Sequence, residues 1–158
     1  MNSSLSEQEV TRLRQLLEIE AIRQLRIDYS LYMDLRDIDS LIALFTEDAV
    51  CEYGPYGSWI GRQVIHENYL ATFSGELAPP FTSMHINTNH RVDIHSDTAA
   101  SGQCYLTDIV THVAPEENPV LWFALYDETY RKEDGKWKFA RTSLQFFWPE
   151  RQAQPPYA

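Results

Sequence analysis

The chain has 158 residues, a formal net charge of −10 and 44% hydrophobic residues. That is length enough for one domain with its own core, without disulfides or metals, and the acidic balance argues against nucleic acid or an anionic membrane, both of which need clustered Lys and Arg. Nine Tyr, seven Phe and four Trp exceed what a core of this size needs, so part of the ring surface should line a cavity for a small molecule.

Residues 1–15 are polar and charged, with no apolar leader, and no stretch approaches a membrane span, so a cytoplasmic protein is expected. Cys51 and Cys104 are far apart with no CxxC spacing, which predicts reduced thiols and neither a zinc nor a redox motif. Ser6-Glu7-Gln8-Glu9 is a capping box. Apolar residues at Val10, Leu13, Leu16, Leu17, Ile22, Leu25, Tyr29 and Tyr32 continue it at helical spacing, predicting a helix from about Glu7 to Leu35. Asp37 or Asp39 should cap a short helix through Leu41–Phe45, closed by turn chemistry at Thr46-Glu47-Asp48.

Ala49 to Tyr53 reads as a strand, 54–57 as a turn, and Arg62 to Phe73 as a third helix after Trp59-Ile60-Gly61. Ser74 to Pro80, with Gly75 and Pro79-Pro80, reads as a loop over a pocket mouth. Four strand-like segments follow: Met84 to Ile94, Ala99 to Val113, Val120 to Lys132 and Lys136 to Trp148. Turns at Ser96-Asp97 and Glu133-Asp134-Gly135, with a loop at 115–119, make these a curved antiparallel sheet. The predicted class is therefore α+β: one domain over 1–158, core about 16–148 and a polar tail 149–158, with helices closing a cone of sheet around a pocket.

Other chemistries are not signalled. His85, His90 and His95 are spaced by five, an odd number, so neighbouring members should face opposite sides of a strand and cannot share a metal. His66-Glu67 lacks the second His of a zincin helix, and there is no phosphate loop, GxSxG elbow or basic stripe. No cofactor is inferred. On the strand, His85, Asn87, Asn89 and Arg91 should share one face, which would put Asn87 beside His85 on a substrate oxygen. Tyr29 and Asp34, about 140° apart around the first helix, could flank one pocket, with Tyr32 less well placed. Tyr53, Trp59 and Trp122 are each equally suited to core or pocket lining. Arg141 shares a strand phase with Trp137 and Phe139, so it points either inward at a carbonyl or anion, or outward into a salt bridge.

The order of elements, with Tyr29-x4-Asp34, the run Asp37-Ile38-Asp39-Ser40-Leu41-Ile42-Ala43-Leu44-Phe45-Thr46-Glu47-Asp48-Ala49 and His85-x3-Asn89-x-Arg91-Val92, resembles the SnoaL-like branch of the NTF2-like superfamily. The match runs from about Leu16 to Trp148 and includes the hairpin 134–139. Within that branch the chain is most similar to the group containing scytalone dehydratase, bile-acid dehydratase and hexachlorocyclohexane dehydrochlorinase. Its members pair an Asp near the end of the first helix with a His on the sheet, and the dehydratases add a Tyr. Asp34, His85 and Tyr29 fall at those places; a second histidine used by scytalone dehydratase has only the loosely placed His112 as counterpart.

The resemblance implies His85 as base, Asp34 as the carboxylate that fixes its tautomer, and Tyr29 as acid or hydrogen-bond donor, with Tyr32 as a substitute. The expected activity is a lyase that abstracts a proton and expels a leaving group, most simply water, from a hydrophobic cyclic or aromatic molecule. Release of formaldehyde by carbon–carbon cleavage and isomerisation of a ketone stay open, as does a non-catalytic binding or assembly module. A homo-oligomer is implied as well, trimer more often than dimer, with the exposed sheet face as interface.

Overall fold

The computed structural model describes residues 5–54, 57–74, 82–111 and 120–148; His112, the 75–80 part of the predicted loop, the 115–119 junction and the tail lie outside them. The elements are α1 (Glu7–Leu35), α2 (Ile38–Ala43), β1 (Phe45–Glu52), β2 (Ser58–Ile60), α3 (Arg62–Ser74), β3 (Thr82–Ile94), β4 (Ala99–Thr111), β5 (Val120–Glu133) and β6 (Lys136–Trp148). They build a curved, unclosed six-stranded sheet in the order β2-β1-β6-β5-β4-β3. Strands β3 to β6 form an antiparallel meander, while β1 joins β6 in parallel.

α1 starts where its capping box says it should: Ser6 Oγ accepts from the Glu9 N–H, and the Glu9 carboxylate accepts from the Ser6 N–H at 2.8 Å. It stops at Arg36, whose φ of 59° is left-handed. Its inward face is Ile22, Leu25, Arg26, Tyr29, Ser30 and Met33, laid along β3 and β6. The earlier apolar residues do not join them, since Leu13, Leu16 and Leu17 are exposed. Glu18 anchors the helix instead, accepting from Lys132 Nζ at 2.7 Å and from the Trp137 indole at 2.6 Å on the β5–β6 hairpin.

One local expectation fails between α2 and β1. Thr46-Glu47-Asp48 is not a turn that ends a helix; the short helix is capped by Asp37 and ends at Ala43, and Phe45 already belongs to β1. Phe45, Thr46, Ala49 and Cys51 are buried, and the turn-forming residues are absorbed in a register shift between Phe45 and Val50. Both cysteines are free and buried.

Two of the bulges decide which of the predicted site residues face inward. Between Thr88 and Arg91, β3 carries one residue more than β4, with Asn89 at a φ of 54°. Asn is one of the few residue types that takes this conformation readily. The strand phase flips there, so Asn89 and Arg91 do not continue the face of His85 and Asn87; Arg91 turns out to Asp93, while His90 turns in, its Nε2 3.0 Å from the Tyr130 hydroxyl. His85 and His90 therefore lie on the same side of the sheet, contrary to the odd spacing. Gly102 makes room for this bend, because a Cβ there would stand 2.7 Å from the Arg91 carbonyl and 3.0 Å from the Tyr130 hydroxyl. The second bulge lies where Thr129 pairs with Arg141 but Tyr130 pairs with Phe139, leaving Ala140 as the extra residue.

Burial of His90, with Arg26 and Arg23 nearby, lowers its pKa from 6.5 to about 4. Between those values the unfolded chain binds a proton that the folded chain refuses, so stability is full above about pH 6.5 and falls as pH drops toward 4. We expect a loss of roughly 1–2 kcal/mol across that window, discounted because the ring is partly exposed. Urea unfolding at a series of pH values checks it: His90→Gln should flatten the slope, and an unchanged slope would assign it to other groups.

Candidate active site

Three residues one helical turn apart on α1, Arg26, Ser30 and Asp34, each meet the sheet through a polar contact. Asp34 stands in the last turn, where its carboxylate faces the first residues of β3. Its Oδ1 is 2.6 Å from His85 Nδ1, its Oδ2 accepts from the His85 backbone N–H at 3.0 Å, and Ser83 Oγ approaches Oδ1 at 3.4 Å. A carboxylate accepts but cannot donate, so the His85 proton resides on Nδ1 and the Nε2 lone pair faces away from α1.

That lone pair faces Asp108, whose Oδ2 lies 4.0 Å from Nε2. The pairing register explains the approach: Asp108 on β4 is the direct neighbour of His85 on β3 and of Trp122 on β5. Asp108 Oδ1 is buried without a hydrogen-bond partner among the described residues. Burial raises the pKa of this carboxyl above the ordinary range, with His85 pulling it down and the charge of Asp34 pushing it up. A separation of 4.0 Å is too long for a direct bond, yet one oxygen atom can sit about 2.8 Å from both groups.

Tyr29 belongs to a second cluster. Its hydroxyl is 2.8 Å from that of Tyr69 on α3 and 3.1 Å from that of Tyr53, which are themselves 2.6 Å apart. Burial raises all three phenols, so each stays protonated and able to donate. Trp59 closes one side, its ring 5.0 Å from Tyr53 and 5.2 Å from Tyr69. Tyr126 on β5 ties this cluster to the first: its ring is edge-on to Tyr29 at 6.2 Å, and Asp108 is among the charges that raise its phenol, after burial and Tyr29.

Of the remaining predicted positions, Asn87 does follow His85 on the inward face, donating to Ser30 Oγ and lying 3.8 Å from Cys104 Sγ. Trp122 packs edge-on against Phe146 at 5.4 Å, and Tyr32 is half-buried against the core. Arg141 corrects the inward alternative. The bulge at Ala140 turns it to the opposite face, where it is held by Glu52 at 2.5 Å and Asp127 at 3.2 Å.

No motif in the sequence marks Asp108, Tyr69 or Tyr126 as site residues. A signal existed for Asp108, which continues the inward phase of Cys104 and Leu106, where an isolated carboxylate is costly to bury. Tyr69 follows Ile65 by one helical turn and reads as ordinary core.

The chain matches the SnoaL-like domain over residues 14–143. An uncharacterised protein of Mycobacterium tuberculosis is 32% identical over 121 residues, which is 76% of this chain and 79% of that protein. Among solved structures, a scytalone dehydratase-like protein of Novosphingobium aromaticivorans is 27% identical with a TM-score of 0.77, over 91% of this chain and 96% of that one. A LinA-type hexachlorocyclohexane dehydrochlorinase of Novosphingobium barchaimii, 23% identical over 91% of this chain and 99% of its own, shares the fold with a TM-score of 0.70.

Proposed function

The chain belongs to the SnoaL-like domain family, within the NTF2-like superfamily, and from that premise we propose that it is a lyase eliminating water from a hydrophobic cyclic or aromatic hydroxyketone. The observation that carries the reading is the imidazole of His85, fixed by Asp34 through Nδ1 and presenting Nε2 to Asp108 at 4.0 Å. The scytalone dehydratase-like and dehydrochlorinase relatives support the same class of reaction.

In this reading His85 Nε2 takes the proton from the carbon beside the carbonyl, and the electron pair moves onto the carbonyl oxygen. Tyr29 donates to that oxygen in exchange for the longer of its two tyrosine contacts, Tyr29–Tyr53 at 3.1 Å. The pair then returns to form the double bond as the carbon–oxygen bond breaks. Asp108 gives its proton to the departing oxygen, which leaves as water. The imidazolium and the Asp108 carboxylate that remain are neighbours, so passing one proton between them restores the starting state. An acid beside the base is what a hydroxide leaving group needs and a halide does not.

The test follows α-proton exchange in deuterated water and loss of water from hydroxylated cyclic ketones. Formaldehyde in the product would replace this reading with carbon–carbon cleavage, a shifted double bond without water loss would replace it with isomerisation, and tight binding without exchange would leave a binding module. Asp108→Asn should lower kcat for the hydroxy substrate by about 10²–10³ and for a halide analogue by less than about tenfold. Because the acid works only when protonated, activity should fall as pH rises through the raised pKa of Asp108, and the variant's profile should lose that limb. Equal losses on both leaving groups would remove Asp108 from the acid role.

A further inference from the structure

The core holds one charged pair that the reaction above does not use. Arg26, one turn before Ser30 on α1, is 1% exposed, and its Nη1 donates to Glu128 Oε1 at 2.6 Å. Glu128 also accepts from Thr142 Oγ1 at 2.9 Å and from the Tyr130 hydroxyl at 2.7 Å, so the carboxylate is well supplied with donors. The guanidinium is not. Its Nε and Nη2 are buried without a hydrogen-bond partner among the described residues, which makes the pairing one-sided. What occupies the faces of the cation instead is aromatic: its carbon lies 3.8 Å from the ring centroid of Tyr29 and 4.0 Å from that of Tyr126.

We propose that Arg26, held in place by Glu128, is a positioning residue for Tyr29, its cation stabilising the negative charge that reaches the Tyr29 oxygen when that phenol donates to a substrate enolate. This rests on the reading of Tyr29 as hydrogen-bond donor to the substrate carbonyl. A full positive charge against the face of a phenol in a water-excluded core acts on the ring's electron density directly. Other ionisable groups acting on Tyr29 include Tyr53, Tyr69, Tyr126 and Cys51, all neutral when protonated, so among these groups Arg26 supplies the charge. Burial pushes the Tyr29 phenol up, and Arg26 is the largest influence pulling it down. The pair also explains why an ion pair occupies a place that an apolar pair would fill with equal stability.

The experiment uses Arg26→Met/Glu128→Gln, which removes both charges together and leaves the Gln amide to serve Tyr130 and Thr142, with Arg26→Lys as the variant that restores a cation. Retention of the native fold is checked by near-ultraviolet circular dichroism. With fluorotyrosine incorporated and the Tyr29 resonance assigned through Tyr29→Phe, the neutral pair should titrate Tyr29 at a pH higher by about one unit or more, and Arg26→Lys should recover part of the shift. In turnover, the neutral pair should lower kcat about tenfold with KM within twofold, but less than twofold when Tyr29 is already Phe. An unmoved fluorine titration, or an equal kcat loss with and without the Tyr29 hydroxyl, overturns the proposal and makes the pair structural. A shifted titration with no elimination in any protein would sustain the action of Arg26 on Tyr29 while removing the lyase reading.

Discussion

Asp34→Asn should lower kcat by about 10²–10⁴ while ligand affinity should stay within about tenfold. The reason is the direction of one proton. As a carboxylate, Asp34 accepts from His85 Nδ1 at 2.6 Å and from the His85 backbone N–H, which keeps the Nε2 lone pair toward Asp108. Asn brings a single oxygen and an N–H₂ to the same place. If its oxygen keeps the backbone bond, its N–H₂ meets Nδ1, the imidazole proton is driven to Nε2, and the lone pair points at α1, where no substrate can use it. His85→Gln should cost at least as much, since it removes the base itself. Isothermal binding of a product or substrate analogue beside steady-state kinetics separates the outcomes; a parallel loss of binding, with no turnover in any variant, would make the pair structural.

How much of this was legible beforehand depends on which interactions are local. The capping box, the helical period over Ile22–Tyr29 and the turn at Asp134-Gly135 are written in near neighbours, and α1 and the β5–β6 hairpin follow them closely. The pairing of Asp34 with His85 is legible in the family pattern and not in periodicity, since it joins residues 51 apart in sequence. Inward and outward assignments beyond a bulge could not be read from the two-residue period. At Asn89 a residue tolerant of left-handed geometry gave a hint, whereas Ala140 carries no local mark and turned Arg141 away from the interior. Leu13, Leu16 and Leu17 satisfied the helical pattern without finding a core, because periodicity reports a face and not what lies against it. Arg26 and Glu128 carry no core signal in the sequence, because charged residues are seldom fully buried and each makes sense in the core only with the other.

That mutual dependence sets the largest expected stability change. Glu128→Gln leaves Arg26 with its full charge, about 1% exposure and no counter-ion among the described residues, since Nε and Nη2 already lack partners. Cation–aromatic contacts with Tyr29 and Tyr126 compensate only in part, being worth about 2 kcal/mol when desolvated. Breaking a buried pair by removing one member costs about 3–5 kcal/mol, a large share of the roughly 5–15 kcal/mol that holds a domain folded. For a chain of this size that corresponds to a Tm lower by about 10 °C, measurable by calorimetry. Removing both charges should restore most of the loss, because Arg26→Met then deletes the very charge that Glu128→Gln strands. The single variant should therefore melt well below the double, although both abolish the ion pair. Near-equal Tm values for the two would mean that water or a displaced side chain neutralises Arg26, and that its burial is weaker than the packing around it implies.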